Sequence, residues 1–238
     1  MSASPLPFHL INAFTTSSPH TGNQAAIVIF PSGNDPRSHD TEWMRLVARD
    51  FNYSETAYLV PLDVKDKDQS TVTVRFGLRW FTPEVEVPLC GHATLASAFT
   101  IFSLDPSANR IEFITKVSGT LVALRTPSGD VSISLPAIPS SPSEISSSYQ
   151  ETIINAIGLT SGEILEVTPY EFAGKSVIVQ IDPNVDLASL TVDSRAIALV
   201  ADGLSIITQA NASTEISSRV FAPGLAVDED SVIFLPTL

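Results

Sequence analysis

The segment Gly91-His92-Ala93-Thr94-Leu95-Ala96-Ser97-Ala98-Phe99-Thr100-Ile101-Phe102 constrains this chain most. It is almost wholly apolar after His92 and reads as a helix with no polar stripe to turn toward water. A helix apolar all round has to be buried on all sides, so the rest of the chain must wrap it. The material for wrapping is strand. Period-2 alternation and β-branched residues mark Phe8–Phe14, Ala25–Phe30, Glu55–Val60, Thr71–Phe76, Arg110–Thr115 and Gly119–Arg125. Val131–Leu135, Ile164–Thr168, Lys175–Ile181, Leu204–Thr208 and Ser217–Phe221 continue the series, and Thr126–Asp130 reads as a hairpin turn. Further helices are expected at Thr41–Phe51, with Thr41 as N-cap, at Gln150–Ile157 and at Arg195–Val200. The class is α+β dominated by strands, without a βαβ alternation.

With 44% hydrophobic and 16% charged residues among 238, a packed core is expected and wholesale disorder excluded. Asp and Glu outnumber Lys and Arg by 26 to 13, a net charge of −13 that repels phosphate backbones. Nucleic acid and acidic membranes are therefore poor partners. A single cysteine, Cys90, excludes an internal disulfide framework and a cysteine-based zinc site. His9, His20, His39 and His92 share no ligand spacing, so no metal is expected. The N-terminus lacks the basic and apolar regions of a signal peptide, and no apolar run is long enough to span a bilayer. A soluble, cytoplasmic protein is expected, so the sequons at Asn52 and Asn211 carry little weight.

Pro136–Ser148 is Pro/Ser-rich and aperiodic, which makes it the expected boundary between domains 1–136 and 137–238. The two halves echo each other. Arg79, Phe81, Pro83 and Val87 recur as Arg219, Phe221, Pro223 and Val227 at a constant offset of 140, which sets Cys90 opposite Asp230.

Three places could carry chemistry. A strand runs into Gly91-His92, where the start of a helix offers unpaired N–H groups and a positive dipole end to an anionic substrate. On composition alone, the weightier reading of His92 is a satisfied histidine capping a core helix. Glu55 opens an apolar strand after Asn52-Tyr53-Ser54; burial would make it an acid/base near neutral pH, exposure an ordinary surface carboxylate. Cys90 is a candidate second acid/base or nucleophile beside the helix dipole, or else a small buried hydrophobe. Gly174-Lys175-Ser176 lacks the first glycine of a phosphate loop, and neither a dinucleotide fingerprint nor a serine elbow occurs.

These pieces together resemble the PhzF-like (phenazine biosynthesis-like) proteins, relatives of diaminopimelate epimerase. The matching motifs are Asn12-Ala13-Phe14, Gly22-Asn23-Gln24-Ala25-Ala26, Asn52-Tyr53-Ser54-Glu55-Thr56-Ala57, Arg79-Trp80-Phe81-Thr82-Pro83 and Leu89-Cys90-Gly91-His92-Ala93-Thr94-Leu95-Ala96. The match thins over 103–215 and returns at Arg219–Pro223 and Glu229-Asp230. The resemblance implies two pseudo-symmetric halves, each a curved sheet around a central helix, with the site in the cleft between. Gly91–Phe102 looks like the first central helix. The resemblance also implies cofactor-independent isomerisation of a small carboxylate-bearing metabolite in a biosynthetic pathway. It makes Glu55 the general acid/base, gives Gly91, His92 and Asp230 to substrate, and implies no cofactor. Full-length relatives are often homodimers.

The diaminopimelate epimerase branch uses two cysteines, and only Cys90 exists here, so a two-thiol racemase is excluded while a mixed Cys90/Glu55 pair stays open. After Asp230 the family continues Pro-x-Thr-Gly-Ser-Ala into its second central helix; this chain instead reads Ser231-Val232-Ile233-Phe234-Leu235-Pro236-Thr237-Leu238. The second half is therefore expected to be incomplete. The competing expectation is a non-catalytic member of the family that acts as an interaction protein. A cysteine hydrolase using Cys90 and His92 is a distant third, since no orienting partner stands near them in sequence.

Overall fold

A computed structural model describes residues 4–15, 21–68, 71–137, 145–172, 174–210, 216–225 and 227–230. They form two compact units, one running to Ala137 and the other taking in the described residues after it. The expected linker falls mostly on 138–144, outside the described residues. Its last two residues, Ser147 and Ser148, belong instead to a helix capped by the Ser146 hydroxyl. The ending from Ser231 onward also lies outside the described residues.

The first unit contains strands β1 (Phe8–Ala13), β2 (Asn23–Ile29), β3 (Glu55–Asp68), β4 (Thr71–Phe81), β5 (Glu86–Val87), β6 (Arg110–Thr115), β7 (Thr120–Arg125) and β8 (Val131–Ser134). Helices α1 (Thr41–Phe51) and α2 (Gly91–Leu104) cross between β2 and β3 and between β5 and β6. The sheet order is β1-β2-β3-β4-β6-β7-β8, with β5 on β4. The pairs β2/β3 and β4/β6 are parallel and all others antiparallel.

Helix α2 touches β1, β2 and β3 near one end of that order and β7 and β8 at the other. A flat sheet cannot do this, so the sheet curls around the helix. Hydroxyls on α2 are satisfied within the helix: Thr94, Ser97 and Thr100 donate to the carbonyls four residues back at 2.5, 2.7 and 2.8 Å. At its last turn Arg125 donates to the Phe102 carbonyl and lies 4.9 Å over the Phe102 ring, a cation at the negative end of the dipole. One expectation needs correction. The helix is not covered on every side, because Phe99 is 52% and Leu104 58% exposed. The chain wraps most of it and leaves one stripe open, and an all-apolar sequence cannot mark which stripe that is.

Helix α1 begins at Asp40, whose carboxylate accepts from the Trp43 N–H at 2.9 Å, so Asp40 rather than Thr41 is the N-cap. Its buried centre is Met44 and Ala48, which pack with Val28, Phe30, Tyr58 and Phe81. By strand alternation that face is opposite the one carrying Ala25, Ala57 and Glu55. Helix α1 stops at Asn52, which takes the left-handed conformation (φ 55°) that asparagine tolerates. Three residues later the chain enters β3 at Glu55.

The second unit holds β9 (Ile164–Glu171), β10 (Lys175–Ile181), β11 (Ser205–Ala210), β12 (Ile216–Ala222) and β13 (Val227–Asp230), in the order β13-β12-β11-β10-β9. Helices α3 (Ser147–Ile157) and α4 (Ser194–Ala198) cover one face, burying Ile153, Ile157, Val177, Val179, Ile181, Ile197, Ile207 and Phe221.

The internal repeat is visible in the pairing. The sequence antiparallel, parallel with a helical crossover, then antiparallel occurs in β1–β4 and again in β9–β12. Tyr58 pairs with Arg79 as Ile207 pairs with Arg219. Arg79 grips Glu86 at 2.7 and 2.8 Å and lies 5.1 Å over Phe81. Arg219 grips Glu229 at 2.7 and 2.9 Å and lies 5.1 Å over Phe221. Beyond the turn the offset of 140 fails. Trp80 pairs with Val87, seven residues on, whereas Val220 pairs with Asp230, ten residues on. The longer hairpin sets Asp230 against Val87 in the repeat, not against Cys90.

Candidate active site

Asn12 and Gly22 shape the approach to β2. The Asn12 amide donates to the Thr21 carbonyl at 2.7 Å. Gly22 has φ 89°, and a Cβ there would strike the Ala13 carbonyl oxygen and come within 2.8 Å of Asn12 Oδ1. Only glycine lets the chain double back at that point, and the next residue, Asn23, is thereby delivered into the core at 5% exposure.

Asn23 meets His92, which stands on the first turn of α2 and is 1% exposed. Asn23 Nδ2 lies 3.3 Å from His92 Nδ1, and Cys90 Sγ approaches the same nitrogen at 3.3 Å. On the other side of the ring, Nε2 faces Glu55 Oε2 at 3.3 Å and Ser54 Oγ at 3.4 Å. The Ser54 hydroxyl donates to Asn23 Oδ1 at 3.1 Å, which closes the circle. Glu55 is buried, with an overall exposure of 8%, and its Oε2 is fully covered. The surface-carboxylate alternative for Glu55 therefore does not hold.

Burial pushes the His92 imidazole down to about 4, and its hydrogen bond to the Gln24 main chain offsets only part of this. The ring is uncharged at neutral pH. Its 3.3 Å approach to Glu55 Oε2 is accordingly not an ion pair.

Gly91 is the first residue of α2. Cys90 caps the helix without a side-chain hydrogen bond, and the first helical bond runs from the Thr94 N–H to the Cys90 carbonyl. The N–H groups of Gly91, His92 and Ala93 thus have no acceptor within the helix, and they sit at its positive end. Asp230 lies in the second unit on β13, paired with Val220 and 6% exposed.

Glu55, Cys90 and His92 hold their ligand-type atoms within 4.8 Å of one another, as a metal site would. Glu55 and Cys90 nevertheless meet opposite nitrogens of one ring. An ion at ordinary bond lengths of about 2.0–2.3 Å cannot sit on both edges of an imidazole. The three side chains line the two edges of the ring and do not converge on one point.

Asn23 and Ser54 belong to matched motifs, yet sequence reasoning assigns neither a role. Both lie far along the chain from His92, and periodicity reports only local neighbours.

A sequence model of the phenazine biosynthesis-like protein family matches residues 11–233. The chain belongs to the PhzF-like family. Among its relatives is phenazine biosynthesis-like domain-containing protein 2 of Mus musculus, 33% identical over 240 residues covering 95% of this chain and 79% of that protein. Another, named uncharacterized isomerase YddE, of Escherichia coli K12, is 32% identical and covers 96% of this chain and 75% of its own length. A crystal structure of a PhzF-family protein from Enterococcus faecalis superimposes with a TM-score of 0.67 at 27% identity, covering 96% of this chain and 77% of that one. The α+β, diaminopimelate-epimerase-like fold that the motifs implied is thus the fold of this family. Among the described residues no helix is long and apolar enough to cross a membrane.

Proposed function

We propose that this protein is a cofactor-independent, PhzF-like isomerase that moves a proton within a small carboxylate-bearing metabolite, with Glu55 as the acid/base. The observation that carries this is Glu55 itself. It is a buried carboxylate at the head of β3, 3.3 Å from an uncharged imidazole on the first turn of a helix whose leading N–H groups have no acceptor within the helix. The N–H groups of Gly91 and His92 hold the substrate carboxylate or a developing oxyanion, whose charge the helix dipole favours. Glu55 takes a proton from carbon next to an activating carbonyl or diene and returns it elsewhere on the same skeleton. The family resemblance also assigns Asp230 to substrate binding. The family names of relatives as isomerases support the class of reaction.

The cluster also bears on stereochemistry. A carbon held between two opposed bases needs about 3–3.5 Å on each side. Cys90 and Glu55 offer atoms no more than 4.8 Å apart. The spacing favours one base working on one face over a mixed Cys90/Glu55 racemase, so Cys90 reaches the reaction as a second acid/base only through the His92 ring. The setting is the cytoplasm, and a homodimer belongs to the same proposal.

The test is a thermal-shift screen of small cyclic and unsaturated carboxylates, followed by turnover of every compound that stabilises the protein. Glu55→Gln should keep the stabilisation and lose turnover. Equal turnover by the two proteins removes Glu55 from the chemistry. Absence of both stabilisation and turnover across the screen would favour the non-catalytic interaction protein.

A further inference from the structure

We propose that the outer edge of β1 is a self-association surface, where a second copy of this chain adds its own β1 in antiparallel register. Among the described residues β1 is an end strand of its sheet, with β2 on one side and no strand on the other. In the β1/β2 ladder Phe8 faces Val28, and the Ile29 N–H donates to the Pro7 carbonyl at 3.2 Å. Hydrogen-bonded pairs alternate along an antiparallel ladder, so His9, Ile11 and Ala13 turn their main-chain groups to β2. The N–H and C=O groups of Phe8, Leu10 and Asn12 point outward. The side chains of these three residues also share one face of the strand, and Phe8 is 53% and Leu10 52% exposed on it. Phe8 lies against Phe51 at the end of α1, with ring centroids 5.2 Å apart. Open main-chain groups and an apolar ridge thus coincide on one edge.

Proteins guard such edges with short strands, proline or charge. The other three ends of the two sheets carry such a guard. β8 and β13 have four residues each, and three of the four in β13 are acidic. β9 carries Pro169 and Glu171 at positions whose main-chain groups face away from β10. β1 has no guard of this kind. Its six residues include no Pro, Asp, Glu, Lys or Arg, and the N–H that Pro7 lacks belongs to the β2 side.

A second copy is the partner that this edge fits. The chain carries a net charge of −13, so two copies repel each other, and least where an uncharged strand meets its equal. The strand is also complementary to itself. With a two-fold axis at Leu10, Leu10 exchanges hydrogen bonds with Leu10 of the second copy and Phe8 with Asn12, which uses the outward groups of all three residues. The Leu10 side chains meet on the exposed face, and the Phe8–Phe51 pair of each copy flanks them. The proposal rests on the homodimer put forward above and not on the chemistry of Glu55.

The two-fold axis makes position 10 face itself, so a charge placed there meets its like. Sedimentation velocity of the full chain over a dilution series at low salt should show the wild type as a dimer. Leu10→Lys and Leu10→Asp should each raise the dissociation constant at least about tenfold. Mixing the two variants sets opposite charges together and should restore the dimer, which only a contact of this strand with itself predicts. Leu10 is half exposed, and near-ultraviolet circular dichroism of Trp43 and Trp80 checks that each variant keeps its fold. A wild-type dimer that neither charge weakens overturns this surface and leaves the homodimer standing. Loss of the dimer in both variants without recovery on mixing overturns the two-fold contact at Leu10. A monomeric wild type overturns the surface and the homodimer together.

Discussion

The buried His92 makes the stability of this protein depend on pH in a way that can be isolated. Its imidazole sits at about 4 when folded and at the ordinary 6.5 when unfolded. Between those values the unfolded chain takes up a proton that the folded one refuses, so lowering the pH favours unfolding. The contribution is fully present above pH 6.5 and is lost as the pH falls toward 4. At about 1.4 kcal/mol per unit, the whole window amounts to roughly 3 kcal/mol, and about 2 kcal/mol has gone by pH 5. Carboxylates titrate in the same range, so the comparison is with His92→Gln, which lacks the imidazole and keeps the rest. Urea unfolding, followed by the tryptophan fluorescence of Trp43 and Trp80 in the first unit, gives stability at each pH from 7.5 to 4.5. The gap between wild type and variant should shrink by about 2 kcal/mol between pH 7 and pH 5. A gap that stays constant across the series refutes a buried, uncharged His92.

Other consequences are local. Gly22→Ala meets the Ala13 carbonyl at a positive φ, and a loss of about 2 kcal/mol or more is expected in urea unfolding; a variant as stable as wild type would mean the loop has room to shift. Ile153→Ala removes a fully buried side chain from the second unit's core and should cost about 2–5 kcal/mol there, read by hydrogen exchange of β10 and β11, with β2 and β3 unaffected. Arg79→Ala breaks a two-pronged carboxylate bond and a stack on Phe81; melting should show a loss of about 1–2 kcal/mol that shrinks at 1 M salt.

What the sequence reveals of this fold follows from what is local in it. Arg110–Thr115 and Lys175–Ile181 have the predicted bounds because β-branched residues alternate within them and turn residues flank them. β3 runs on past Val60 to Asp68, where Pro61 and a mixed charge run hide it, and β4 runs on to Phe81, where its last residues read as a motif. The two-residue β5 is too short to leave a pattern. Asp230 stands opposite Val87 because a hairpin lengthened by three residues between Phe221 and Asp230 resets the repeat, which a constant offset cannot express. At the site, Glu55 and His92 are legible one at a time, as a carboxylate opening a strand and a histidine opening a helix. Their meeting is not. It depends on a curled sheet bringing β2 and β3 to the start of α2, and on Asn23 and Ser54 filling the remaining valences of the ring.

Proton transfer by Glu55 is the central claim, and deuterium wash-in tests it most directly. Wild-type protein and Glu55→Gln, each shown folded by near-ultraviolet circular dichroism, are incubated in D2O with small unsaturated carboxylates and followed by 1H NMR. The wild type should exchange a carbon-bound proton in at least one compound at a rate that Glu55→Gln lowers to the protein-free level. Exchange at the same rate in both proteins, or in neither, would contradict the account.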